Sequence, residues 1–190
     1  MPDVTAAAST AKVTVSPEEF TFVKFDAAEI AAIVAELAQR LEIANPIHVA
    51  VNEATPLAKV YEEIDAASSD ATITLHAESG ALEDRKHPMS FSAAGARESL
   101  GRILLRAHDR LRPDFADAPG DLDLTLEQNA SWDTYCAGRL ARMGVETNQQ
   151  RWRYNHRNRF GFHDGVDVAF DALWNADDLG WSAMLSTARG

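Results

Sequence analysis

The sequence predicts an α+β fold: a small mixed α/β part with strands and two long helices, followed by an all-helical part. Three observations lead there. Short β-branched or aromatic runs (Val13–Val15, Phe20–Phe25, Ile47–Val51, Ala71–His76) occur only in the first half. Two segments of that half repeat apolar residues at three- and four-residue spacing. Beyond the Pro/Gly stretch Ala116–Asp123 (ADAPGDLD), the periodic segments are bounded by helix-start and helix-stop residues alone.

In chain order, residues 1–12 are small and polar and read as a disordered tail. Val13–Val15 and Phe20–Phe25 read as a strand or hairpin about Pro17, because TFVKF alternates with period two. Asp26, with Glu29 three residues on, has the spacing of a capping box. The helix it opens carries Ile30, Ile33, Val34, Leu37 and Leu41 on one stripe and stops at Asn45-Pro46. Strands follow at Ile47–Val51, Ala58–Ile64 and Ala71–His76, with a turn-like cluster at Asp65–Asp70. A helix opens near Ser92 and ends before Pro113, with Leu100, Ile103, Leu104, Ala107 and Leu111 inward. Thr125 and Gln128 form a second capping box, and Gly144 stands at the matching stop. Thr147 with Gln150, and Gly161, repeat that pattern; Asp164 and Asp177 cap two last short helices. The organisation read from this is a tail over 1–12, an α+β domain over 13–115 and a helical subdomain over 122–190 packed on it.

Composition narrows the class. Of 190 residues, 46% are hydrophobic and 25% charged, ordinary values for a globular chain. The single cysteine, Cys136, excludes an intramolecular disulfide and any CxxC motif. No apolar run is long enough to span a bilayer, and the first dozen residues lack the pattern of a secretory signal. A cytoplasmic protein with no membrane partner is the expectation. The formal net charge is −11, which disfavours nucleic acid as a partner.

Against that average, Arg151–Phe162 (RWRYNHRNRFGF) interleaves four arginines with four aromatic residues. From Arg139 to Arg159 there are six arginines and one acid, Glu146. Guanidinium groups beside rings serve either to recognise anions and partners or to build an internal salt-bridge lattice. On the first reading Arg151, Trp152, Arg153, Tyr154, Arg157 and Arg159 form a binding surface for a protein partner. On the second, Trp152, His156 and Phe160 are a core stripe at i, i+4, i+8, and the arginines pair with acids of the first half. Arginine outnumbers lysine 14 to 4 throughout, which weakens an arginine count as a functional signal.

No catalytic constellation stands out, so an enzyme is disfavoured and no cofactor is expected. Phosphate-binding glycine loops, the G-x-S-x-G elbow and dinucleotide fingerprints are missing from the sequence. Arg102, Arg106 and Arg110 recur at i, i+4, i+8, with Glu98 and Asp109 in range; this reads as a solvated helix face tied by intrahelical pairs. Cys136 shares a stripe with Trp132, Leu140 and Met143 and reads as a buried small hydrophobe. Phe170, Trp174, Trp181 and Leu185 make the last segment too apolar to lie free, so it packs on earlier helices or in a homodimer.

Two resemblances supply alternatives. Ala141, Gly144 and Val145 between two helices, with Arg153-Tyr154 in the second, resemble the helix-turn-helix family over about 25 residues. That resemblance implies nucleic-acid contact through Arg151, Arg153 and Arg157. Gln149 and Gln150 depart from it where a buried aliphatic residue should follow the turn. The element order over residues 26–112, ending in ITLHAESGAL and a long helix, resembles the zincin metallopeptidase core. That family carries His-Glu-x-x-His on the helix, whereas RESLGRILLRAHDRL holds His108 alone. The resemblance therefore implies a catalytically inactive relic. His76 and Glu78 resemble the His-x-Glu of zinc deaminases, but the partner Pro-Cys-x-x-Cys is missing from the sequence.

Overall fold

The computed structural model describes residues 11–64, 68 and 70–190. Four strands, β1 (Val13–Ser16), β2 (Ile47–Asn52), β3 (Val60–Ile64) and β4 (Ile73–Glu78), form one sheet in the order β1-β2-β4-β3. β1, β2 and β4 run parallel, and β3 lies antiparallel at the edge. A parallel pair needs a crossover, and helix α1 (Ala27–Arg40) supplies it between β1 and β2. Val49 sits in register with Val15 and Leu75, so the alternating Ile47, Val49, Val51, Ile73, Leu75 and Ala77 share one buried face. Ile30, Ile33, Val34 and Leu37 of α1 join them in one cluster with Leu100, Ile103, Leu104 and Ala107 of α2 (Ala93–Arg110). The protein is α+β, as the sequence predicts.

Phe20–Phe25 is not a strand. β1 takes a partner 34 residues away instead of a local one. The backbone amides of Thr21 and Phe22 donate to the Glu53 carboxylate at 2.8 and 2.6 Å, which holds that carboxyl below its ordinary range. Phe20, Phe25 and Phe91 then pack edge to face at 5.5 Å. Residues 1–10 and most of Asp65–Asp70 lie outside the described residues; Ala11, at the end of the expected tail, is buried in the main core.

Helices α3 (Leu126–Arg142), α4 (Gln149–Phe160), α5 (Asp164–Asn175) and α6 (Trp181–Arg189) complete the fold. The Thr125/Gln128 capping box is formed, with the Thr125 amide donating to Gln128 at 2.8 Å and the Gln128 amide to Thr125 at 3.2 Å. Gly144, at φ 81°, ends α3 in a Schellman motif: its N–H reaches the Ala141 carbonyl and that of Val145 reaches Leu140, both at 3.0 Å. The cap of α4 is Asn148 rather than Thr147; its side chain accepts from the Arg151 amide at 3.0 Å. Asp164 and Asp177 are not caps either, because His163 and Gly180 hold those positions. Asp164 lies in the first turn of α5, where the helix dipole favours a carboxylate. Asp177 is engaged by the Arg142 guanidinium at 2.7 and 2.9 Å.

Gly138 sets the α3–α5 contact. A Cβ there would stand 2.0 Å from the Trp174 carbonyl oxygen, so only glycine permits the approach. Ala137, Trp152, Phe170 and Trp174 close a smaller core beside it. Phe115 stacks on Trp132 and Trp181 packs tilted against both in the main core, which continues from Ile30 through Trp132 to Met184 across the Ala116–Asp123 segment. Among the described residues, no helix is long and apolar enough to cross a membrane.

α1 also ends in a Schellman motif, with Glu42 in the left-handed position at φ 55°. A side chain there is strained by about 1 kcal/mol relative to glycine. Replacing exposed Glu42 by glycine is expected to raise unfolding stability by up to about that amount, measured by urea titration; a loss would contradict the cap assignment.

Candidate functional site

Asn148 starts α4 and Gly161, at φ 110°, stops it, so the Arg/aromatic segment is one short helix packed on α3 and α5. With 3.6 residues per turn, its six candidate side chains cannot share a face. Trp152 is buried; its indole N–H donates to Glu98 at 2.8 Å, and the Arg102 guanidinium lies 5.2 Å from the ring. Arg153 pairs with Asp171 and approaches Asp167, with its guanidinium 4.4 Å over the Phe170 ring. Arg157 grips Asp167 through two bonds of 2.8 and 2.6 Å, and this holds the Asp167 carboxyl below its usual range. His156 is fully buried, and burial pushes its imidazole down to about 4, so it stands neutral in the core.

Trp152, Arg153 and Arg157 therefore fasten α4, Trp152 to Glu98 of α2 and the two arginines to acids of α5 rather than of the first half. Tyr154 faces outward instead, 58% exposed, and meets the 64% exposed Phe162 edge to face at 6.0 Å. Arg151 and Arg159 of the same helix are also exposed, and both are without an ion pair among the described residues. Phe162, next to the stop glycine, joins the site although the segment's periodicity did not single it out.

A second ionic constellation overturns a sequence expectation. Arg102, Arg106 and Arg110 do not line a solvated face. Arg106 is 2% exposed and is held by Asp121, Asp133 and Asn129. Arg110 engages Glu62 and Asp121 and donates to the carbonyls of Ala118 and Pro119 at 3.2 and 2.7 Å. Arg102 meets Asp133. Three guanidinium groups of α2 thus face carboxylates from β3, from the Ala116–Asp123 segment and from α3. Glu98 and Asp109, the expected intrahelical partners, go elsewhere: Glu98 to Trp152, and Asp109 to the Trp132 indole at 2.8 Å and to Arg139. Cys136 is buried under Arg139, and burial pushes its thiol up to about 12, far from the reactive range.

Glu62 is the unusual member. Its side chain is fully buried, its Oε2 has no hydrogen-bond partner, and burial together with the neighbouring Asp121 pushes it up to about 7, against the pull of Arg110. No group of three or more His, Cys, Asp or Glu side chains suited to a metal ion occurs among the described residues.

No family model matches the chain, and comparison with curated proteins and with solved structures likewise gives no match.

Removing one partner from a buried ion pair costs about 3–5 kcal/mol. Arg106→Met is expected to destabilise by that much in urea unfolding, whereas Arg151→Ala should stay within about 0.5 kcal/mol. Equal effects of the two would contradict the assignment of one as internal and the other as free.

Glu62 and His156 oppose each other in pH. The folded-state pKa of Glu62 lies above its ordinary 4.5, so stability rises as pH falls from about 7 to 4.5. That of His156 lies below its ordinary 6.5, so stability drops as pH falls from 6.5 to about 4. Glu62→Gln removes the first contribution, and its urea midpoint is expected to fall more steeply between pH 7 and 5 than that of the parent chain. Parallel slopes would show that Glu62 does not titrate in this window.

Proposed function

We propose that the chain is a non-catalytic cytoplasmic interaction protein that presents the outer stripe of α4 to a protein partner. The supporting observation is the exposed Tyr154–Phe162 pair, on a helix whose Arg151 and Arg159 are exposed and without an ion pair among the described residues. Large rings with arginine beside them are the residue types that dominate binding energy at protein interfaces. Here their positions are fixed in advance by Trp152, Arg153 and Arg157, which lowers the ordering cost of association. A nucleic-acid partner is disfavoured: two free guanidinium groups on this face are few against the roughly 6–10 phosphate contacts of a strong binder.

The test is affinity capture with the parent chain and with a Tyr154→Ala/Phe162→Ala double variant, with circular dichroism confirming that the variant is folded. Both rings are exposed, so folding should survive while the captured protein is lost. Arg85→Ala, exposed and elsewhere, should leave capture intact. Identical capture by the double variant would remove this reading; recovery of the chain itself as the captured protein would define the partner as a homodimer.

A second reading has one observation in its favour. Edge strand β3 runs antiparallel, β4 leads into α2, and at i and i+4 of α2 stand Arg102 and Arg106 with Asp133 across both. That element order resembles a zincin scaffold in which an ion pair occupies the place of paired imidazoles. Guanidinium groups cannot ligate zinc, so on this reading the fold persists as a relic.

A further inference from the structure

Between the N-terminal half of α3 and the outer face of α4 lies a groove of about 450 Å³. Leu126 and Trp152 supply its apolar wall, Asp133 its floor, and Asn129, Asn155, Asn158 and Arg159 its polar lining. It falls within the volume range of ligand sites, about 300–1,000 Å³, but its lining is unusual in being rich in primary amides.

Three features define what fits. First, the carboxylate in the floor is already satisfied: Asp133 is held by both Arg102 and Arg106, so it does not repel an anion. Arg159 adds a guanidinium with no ion pair among the described residues, so the charge in this lining that no internal partner claims is positive. Second, the amides are available. Neither Asn155 nor Asn158 makes a side-chain hydrogen bond among the described residues. Asn129 spends only its carbonyl oxygen, on Arg106 at 2.5 Å, which leaves its NH2 as a donor. A primary amide offers one acceptor and two donors, the complement of a peptide unit. An extended peptide presents such units at regular spacing with its own N–H and C=O groups unpaired. Third, Leu126 is 64% exposed at the rim and gives an apolar side chain a place to rest.

We infer that this groove binds an acidic, extended peptide segment of the partner protein. Arg159 takes a carboxylate side chain, the asparagines take main-chain groups, and Leu126 with Trp152 takes a neighbouring apolar side chain. The inference rests on the interaction reading above and extends its surface from the Tyr154–Phe162 pair along α4 to α3.

The test uses the full chain on an array of octapeptides in acidic, neutral and basic sets of matched hydropathy. The tightest binder is then measured by fluorescence anisotropy. Acidic peptides are expected to be enriched, and affinity should fall as salt rises from about 50 to about 300 mM. Arg159→Ala is expected to weaken the acidic peptide about tenfold or more, while Asn155→Ala/Asn158→Ala should weaken acidic and neutral peptides alike. Arg151→Ala, outside the groove, should have little effect. No acidic enrichment, an Arg159→Ala variant that binds as the parent does, or full displacement by free glutamate (a small-anion site rather than a peptide groove) would each overturn the inference. The two readings fail separately. Capture that depends on Tyr154 and Phe162 with no peptide binding leaves the interaction surface and removes the groove. Peptide binding with capture unchanged by the double variant does the reverse.

Discussion

The structure depends on a row of guanidinium groups buried along α2. Arg102, Arg106 and Arg110 draw carboxylates from three separate parts of the chain: Glu62 from the edge strand, Asp121 from the connecting segment and Asp133 from α3. Apolar packing alone would let α3 slide along α2, because dispersion is non-directional. Charge-assisted bonds are directional, and those of Arg102 and Arg106 to Asp133 fix the register between the two helices. The Trp132 ring lies against two of the same guanidinium groups, at 4.8 and 5.4 Å, so the ionic row and the aromatic core are one body. Sequestering charge is costly unless every partner is met, and Glu62 shows the remaining tension, with an unpartnered oxygen and a raised affinity for its proton.

The same logic explains where the arginines of a strongly acidic chain go: most are met by acids within the fold. Arg139 serves Asp109, Arg142 serves Asp177, and Arg153 with Arg157 serves Asp167 and Asp171. These pairs tie α3 to α2 and to the segment that follows α5, and α4 to α5. On α4, position decides which cations an internal acid claims. Residues facing α5 find carboxylates there; Arg151 and Arg159 do not.

Local signals in the sequence were strong where local physics decides. The Thr125/Gln128 box, the Gly144 stop and the alternation in Ile47–Val51 and Ala71–His76 all correspond to formed elements, because caps and period-two burial are set within a few residues. Phe20–Phe25 shows the limit: its β pattern is real, but β1 pairs with β2 far along the chain, and the Thr21 and Phe22 amides go to the Glu53 carboxylate instead of a strand. The arginine row was misread for a geometric reason. A spacing of four residues advances about 400°, so each step drifts about 40° around the helix. Over two steps the row turns toward the apolar face that carries Ile103 and Ala107. Nothing in the local sequence marks Asp121, Asp133 or Glu62 as its partners. The Arg/aromatic segment was likewise half legible: its composition pointed to α4, but which arginines are free depends on the acids of α5, a tertiary fact.

Cys136 gives the molecule an internal clock. It is the chain's one thiol, enclosed between the α2–α3 ionic row and the aromatic core, and held in its unreactive protonated form. An alkylating reagent can reach it only during excursions that open the packing around α3. Its modification rate therefore counts those excursions, and a ligand that settled across α3 and α4 would be seen to slow the count without touching the sulfur.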